Sequence, residues 1–222
     1  LFLYSDKKRF KEAIVESKNE RYNSQLIQVF TTPLLKKDLL KKLKKLKKKF
    51  PKAIIVGATT AGEISHAKIK ENSTVISLSL FENTTLKTYY TKKITTKSAK
   101  QLYKNISSKN IKAAIVLSEG LYGKDYDGFT KGIKKANPNL IIAGGLAGDN
   151  FKLEQTSIFL NDKIYNKGAI AVSFSGKNLY ADNRYNLNWI PIGKEFTITS
   201  ADKNILYEID NTNAIEIFKR YL

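Results

Sequence analysis

The chain has 222 residues, 42% of them hydrophobic and 11% aromatic, enough to bury a core as one large domain or two closely packed halves and too apolar for a disordered tail. It has no cysteine, which excludes thiolate catalysis, disulfides and sulfur-ligated metal and suits a reducing, cytoplasmic compartment. A formal charge of +19 comes from 39 Lys+Arg against 20 Asp+Glu, but the excess is Lys scattered among Asn and Ile, the usage of an AT-rich genome. Arg, the better reader of phosphates and bases, occurs only at positions 9, 21, 184 and 220, so no specific nucleic-acid partner is expected.

Along the chain, Phe10, Ala13, Ile14 and Ser17 recur at helical spacing and predict a helix over residues 5–22, with Asp6 as its cap. Residues 26–31 alternate as a strand. In the following PLLKKDLLKKLKKLKKKF, Leu35, Leu39, Leu43, Leu46 and Phe50 form one apolar stripe, and nine lysines between positions 36 and 49 fall on the other side. Flanking strands make this a crossover helix on a sheet rather than a helix on a membrane surface. No apolar run reaches the roughly 20 residues of a membrane helix. Pro51 stops the helix, KAIIVGATTAGEI reads as a buried strand running into a Gly-containing turn, and strands are predicted over residues 73–81 and 86–92, then a helix over 98–106. A strand over 112–118, a helix over 125–136 and strands over 139–144, 168–176 and 179–185 complete the order. Because the chain begins with Leu1, it is expected to be part of a longer protein.

Two stretches look like one unit written twice. PKAIIVGATTAGEI answers PNLIIAGGLAGDN, STVISLSLF answers GAIAVSFSG, and LKTYYTKK answers LYADNRYN. The predicted fold is therefore α/β, with two internally duplicated strand-helix-strand-strand-strand halves, about 26–93 and 112–188, forming mixed sheets covered by helices. The second half carries an inserted hairpin, TSIFLNDKIYNKG. A ligand is expected where the two Gly-rich strand ends meet, since α/β folds hold small molecules at strand ends.

Several chemistries fail on residue type or spacing. His66 is the only histidine, so no two-histidine metal site can form within the chain. Ser118 lies in LSEG rather than in a Gly-x-Ser-x-Gly elbow, GATTAGEI lacks the Gly-Lys-Ser/Thr of a phosphate loop, and GGLAGDN lacks the full dinucleotide fingerprint. What remains is polar groups among glycines, whose backbone N–H groups can approach a ligand. The candidate ligand residues are Thr59, Thr60, Gly62, Glu63, Gly145, Gly148, Asp149 and Asn150, with Ser118, Glu119 and Trp189 as neighbours. Glycines that merely shape tight turns and acids that cap the following segments would leave the same pattern.

The series VGATTAGEIS, VLSEGL, IIAGGLAGDN, GAIAVSFSG, WIPIGKEFTIT and ILYEIDNTNAIEIFKRYL resembles the N-terminal FIST domain, a bacterial sensory module, over about residues 26–222. The resemblance implies a cytoplasmic, non-enzymatic input domain over residues 1–210 that binds a small polar ligand such as an amino acid. It also implies that residues 211–222 begin the connection to a C-terminal FIST half and to an output domain such as a kinase, a chemotaxis transducer or a cyclic-dinucleotide enzyme. Two departures stand out: Ala58 replaces the cysteine of the family's Gly-Cys-Ser-Thr-Ala-Gly-Glu, and Asn211-Thr212-Asn213-Ala214 replaces Gly-x-Pro-Ala. No cofactor is expected. The alternatives are a haem-based nitric oxide sensor using His66, an enzyme with Asp149 and Glu63 as acid and base, and a basic nucleic-acid-binding module.

Overall fold

The computed structural model describes residues 2–3, 7–65, 67–123, 125–184, 190–191, 193–202 and 205–221. In chain order the elements begin β1 (Phe2–Leu3), α1 (Lys7–Glu16), β2 (Ser24–Thr31), α2 (Lys36–Lys49), β3 (Ile54–Thr59), β4 (Glu63–Ser65), β5 (Lys68–Lys70) and β6 (Thr74–Phe81). They continue with β7 (Thr85–Thr91), α3 (Thr96–Ile106), β8 (Ile111–Ser118), α4 (Tyr126–Ala136), β9 (Ile141–Leu146), β10 (Ile158–Leu160), β11 (Lys163–Tyr165) and β12 (Ala169–Ser175). The last are β13 (Ile198–Asp202), β14 (Ile205–Ile209), β15 (Thr212–Asn213) and α5 (Ala214–Tyr221).

A first sheet runs β1-β6-β2-β3-β10-β11 and a second runs β7-β12-β8-β9. Both are mixed, as the α/β reading requires: β2 and β3 are parallel, as are β8 and β9, while β6 and β12 pair antiparallel with the central strands. The strands alternate between two apolar interiors. Ile27, Val29, Ile55 and Leu78 of the first sheet pack under α2 with Leu39, Leu43 and Leu46. Leu26, Val56 and Ala58, on the opposite face, meet Leu117, Ile170 and Val172 of the second sheet. The far face of that sheet is covered by α3 and α4 through Leu102, Ile106, Phe129 and Ile133. The result is a helix-sheet-sheet-helix stack whose strands β3, β8 and β12, covered on both faces, are the most continuously apolar. Burying each leucine of the α2 stripe contributes about 2 kcal/mol.

Pairing repeats across the sheets. Val29 lies opposite Gly57 and Ile76, and Val116 lies opposite Gly144 and Ala171. Beyond the last rung, Thr32 N–H donates to Ser73 O at 3.1 Å and Glu119 N–H to Gly168 O at 3.0 Å. Both glycines sit where no side chain fits: a methyl at Gly57 would lie 1.9 Å from Val29 O, and one at Gly144 1.8 Å from Val116 O.

Some expectations change. Residues 179–184 are not a strand; they cross the second sheet beside Ala113 and Ile115, with Asn183 reaching Ile142 O, and Tyr185 lies outside the described residues. The strand matched to them, β7, pairs with β12 of the second sheet, as β1 pairs with β6 of the first. Nor is the hairpin peculiar to the second stretch, because β4 and β5 pair antiparallel between β3 and β6. The connection into β4 spans only residues 60–62, so that hairpin stays near its own strand. Residues 147–157 give β10 the reach to join β3. Helix α1 ends at Glu16, and the Ser17 hydroxyl turns back to Ile14 O; Asp6 lies outside the described residues.

Candidate functional site

The Gly-rich strand ends meet. Gly148 N–H donates to Thr59 O at 2.8 Å, and a methyl on Gly148 would lie 3.1 Å from Ala61 N. Thr59 also exchanges bonds with Ser157: its N–H reaches Ser157 O at 2.8 Å, and Ser157 N–H reaches its Oγ1 at 2.9 Å. Asn166 donates to Ser157 Oγ at 2.7 Å, and Asn150 donates to Thr32 Oγ1 at 2.8 Å.

Beyond the carboxyl ends of the parallel β2 and β3, these contacts frame a cleft of about 190 Å³. Thr59, Ser157 and Asn166 supply its polar floor, Lys36 one wall, and Asp149, Lys152, Glu154 and Gln155 another. Lys36 is the first residue of α2, whose cap residue Leu35 has no side chain able to take a helix N–H, so the dipole and first amides of the helix open on this side.

Three buried carboxylates hold the loops. Asp149 accepts N–H bonds from Leu153 at 3.0 Å, Glu154 at 2.7 Å and Gln155 at 3.0 Å. Burial acts to raise its pKa, but the amides of residues 152–155 together outweigh that and hold it below the ordinary aspartate range. Glu63 accepts from Thr60 Oγ1 at 2.6 Å and from Ser73 Oγ and N at 2.6 and 3.2 Å. Glu119 accepts from Leu121 and Tyr122 N–H at 2.9 and 2.7 Å and from the Tyr126 hydroxyl at 3.2 Å. Burial first, and the Glu119 charge after it, push Tyr126 up to about 12. The acids thus spend their lone pairs on their own loops, and Glu154 is the other acidic residue lining the cleft.

The predicted residues fall into separate places. Thr59 and Asp149 line the cleft, and Gly148 and Asn150 fix its loop. Ser118 and Gly145 line a different recess of about 300 Å³ beside β9. Thr60, Gly62 and Glu63 build the base of the β4–β5 hairpin, and Glu119 shapes the turn into α4. Trp189 and His66 lie outside the described residues. Sequence reasoning missed Lys36, Glu154, Gln155, Ser157 and Asn166; Ser157 and Asn166 sit in the hairpin read only as an insertion, whose second-half placement was their one signal.

The family model of the FIST N domain matches residues 25–212. The chain belongs to this family. FIST N domains are sensory domains of signal-transduction proteins, and the match runs from β2 into β15, so it spans both sheets and the cleft. No curated protein matches the chain. Among the described residues, no helix of this FIST domain is long and apolar enough to cross a membrane, and no cluster of three or more His, Cys, Asp or Glu side chains could hold a metal ion.

Proposed function

We propose that this FIST domain is a cytoplasmic, non-enzymatic input module that binds a small polar metabolite, with a free amino acid the best fit, in the cleft between α2 and the 147–157 loop. The carrying observation is the convergence there of Thr59 and Asp149, one from each Gly-rich strand end, with Lys36, Glu154 and Asn166. An amino acid carboxylate would face Lys36 and the first amides of α2, its ammonium group Glu154, and its α-substituent Leu34 and Ile164. Asp149 acts by positioning, since its bonded loop presents Glu154 and Gln155. The non-enzymatic reading is supported by the hydrogen bonds that occupy both Asp149 and Glu63, the acid and base an enzyme would use.

The reading extends to partners: a C-terminal FIST half and an output domain such as a kinase, a transducer or a cyclic-dinucleotide enzyme. Ile198, Leu206, Ile215 and Phe218 of β13, β14 and α5 are exposed apolar residues that such a neighbour would cover.

A panel of free amino acids tests the site by thermal shift and calorimetry. The cognate should raise the melting temperature of the wild type, and Glu154→Gln should weaken it by about one to two powers of ten, as loss of a charge-assisted bond worth roughly 1.5–3 kcal/mol. Binding that Glu154→Gln, Asn166→Ala and Lys36→Gln all leave unchanged would move the ligand elsewhere.

A further inference from the structure

We infer that the open-sided cavity between α1, α2 and the helix-facing side of the first sheet is a separate binding site for a small apolar carboxylate, an aryl group or short alkyl chain with one anionic end. It goes beyond the amino-acid reading and uses a different side of α2, only Leu39 lining both spaces.

The cavity has a volume of about 250 Å³. For scale, an apolar cavity of about 150 Å³ inside a protein accepts benzene, so this one admits a ring with a short tail. Its walls are Val29 and Ile76, opposite each other on β2 and β6, with Leu43 and Leu46 of α2 and Phe10 of α1. Two residues further along the same face, the next rung is Thr31 opposite Thr74, about 7 Å away at the rise of a strand. There the surface becomes polar. The Thr31 and Thr74 hydroxyls share a 2.7 Å hydrogen bond, and Lys42 Nζ donates to Thr74 Oγ1 at 3.2 Å. The apolar body and the cationic, hydroxyl-bearing end therefore stand in line, as an amphiphilic anion requires.

The space comes from helix placement. Phe10 of α1 stands edge-on to Phe50 at the end of α2, with ring centroids 5.7 Å apart. Over the second sheet α3 and α4 touch so closely that a methyl on Gly132 would lie 2.8 Å from Ala99 Cβ. An anion at Lys42 and Thr74 would compete for bonds in a chain that continues from Thr31 Oγ1 to Ser73 O at 3.3 Å and from Ser73 Oγ to Glu63. Occupancy is thereby linked to the β4–β5 hairpin.

Octanoate, 1-octanol and acetate are the probes, titrated into the full chain by calorimetry and by methyl NMR. Octanoate should bind at least about tenfold more tightly than either of the others, since one lacks the charge and the other the chain, and should shift the methyls of Val29, Leu43, Leu46 and Ile76. Lys42→Gln should bring octanoate and octanol within about twofold of each other, and Ile76→Phe, which fills the space, should weaken octanoate more than about tenfold while leaving the amino acid response of the α2–loop cleft intact. If Ile76→Phe fails to fold, the wild-type methyl shifts decide the matter. Equal binding of octanoate and octanol by the wild type, octanoate binding that survives in folded Ile76→Phe, or shifts confined to other methyls would overturn the inference.

Discussion

The two sheets place one strand register beneath two differently spaced helix pairs. Over the second sheet, Gly132 lets α4 close on Ala99 of α3 above Leu102, Ile106 and Ile133, and the open space, about 300 Å³, lies on the other side of α4 beside β9. Over the first, the same strand order carries α2 with its leucine stripe, α1 meets the end of α2 through Phe10 against Phe50, and a cavity lies between them and the sheet. Strand register alone does not fix where a layer leaves space; how the helices cross above it does. The shared register supports the proposal that the halves are one unit written twice, in the form β1-α1-β2-α2-β3-hairpin-β6 and β7-α3-β8-α4-β9-hairpin-β12.

The largest effects test the equivalence of the sheets. Gly57→Ala and Gly144→Ala should each cost about 3 kcal/mol or more, because each methyl runs into the backbone carbonyl of a central strand. Gly144 is additionally at φ 143°. Urea denaturation gives both numbers, and tolerance of one alone would break the correspondence.

Next come the helices. Ile133→Ala should cost about 4 kcal/mol where α3 and α4 close on each other, whereas Leu43→Ala, which lines an existing cavity, should cost about 2 kcal/mol. Equal costs in the same denaturation series would mean that Leu43 is as tightly surrounded as Ile133.

Smaller effects concern the loop acids. Tyr126 titrates near 12 in the folded chain and near 10 unfolded, so the folded state favours the neutral phenol. Its contribution is fully present below about pH 10 and is lost as pH rises toward 12; stability curves of Tyr126→Phe and wild type should diverge only in that window. Asp149 has the opposite sign. Its depressed pKa gives a contribution present above the unfolded value, near 3.9, that fades as pH falls through the folded value, and Asp149→Asn should flatten the acid limb of the stability curve. An acid limb unchanged by that substitution would remove Asp149 as the organiser of its loop.

Much of this fold was legible in the residues. The spacing of Leu39, Leu43 and Leu46 marked α2, and the apolar runs ending at Gly57 and Gly144 marked two strands that each pair parallel with the strand before them. The unit's boundary was misread because LYADNRY alternates like a strand, while Asp182, Asn183 and Arg184 are better satisfied in an exposed crossing. Hairpin β4–β5 was hidden in a short polar run that turns at Ala67, a non-glycine at φ 56°. Glu63, Glu119 and Asp149 were recognisable as special, yet whether a carboxylate points to a ligand or to its own loop depends on which amides fold around it. The cavity under α2 could not be read at all, since it depends on how two helices are placed over one sheet.

Asn150, Phe151 and Leu153 all adopt left-handed backbone angles, with φ of 58°, 61° and 56°. For Phe151 and Leu153 this costs about 1–2 kcal/mol each, offset by the amides bound to Asp149. Such a wall has already given up its conformational entropy before any ligand arrives. Association at the α2 cleft should accordingly follow a single exponential whose rate rises linearly with ligand concentration, with no slower ordering step and with the temperature dependence of diffusion rather than of loop closure.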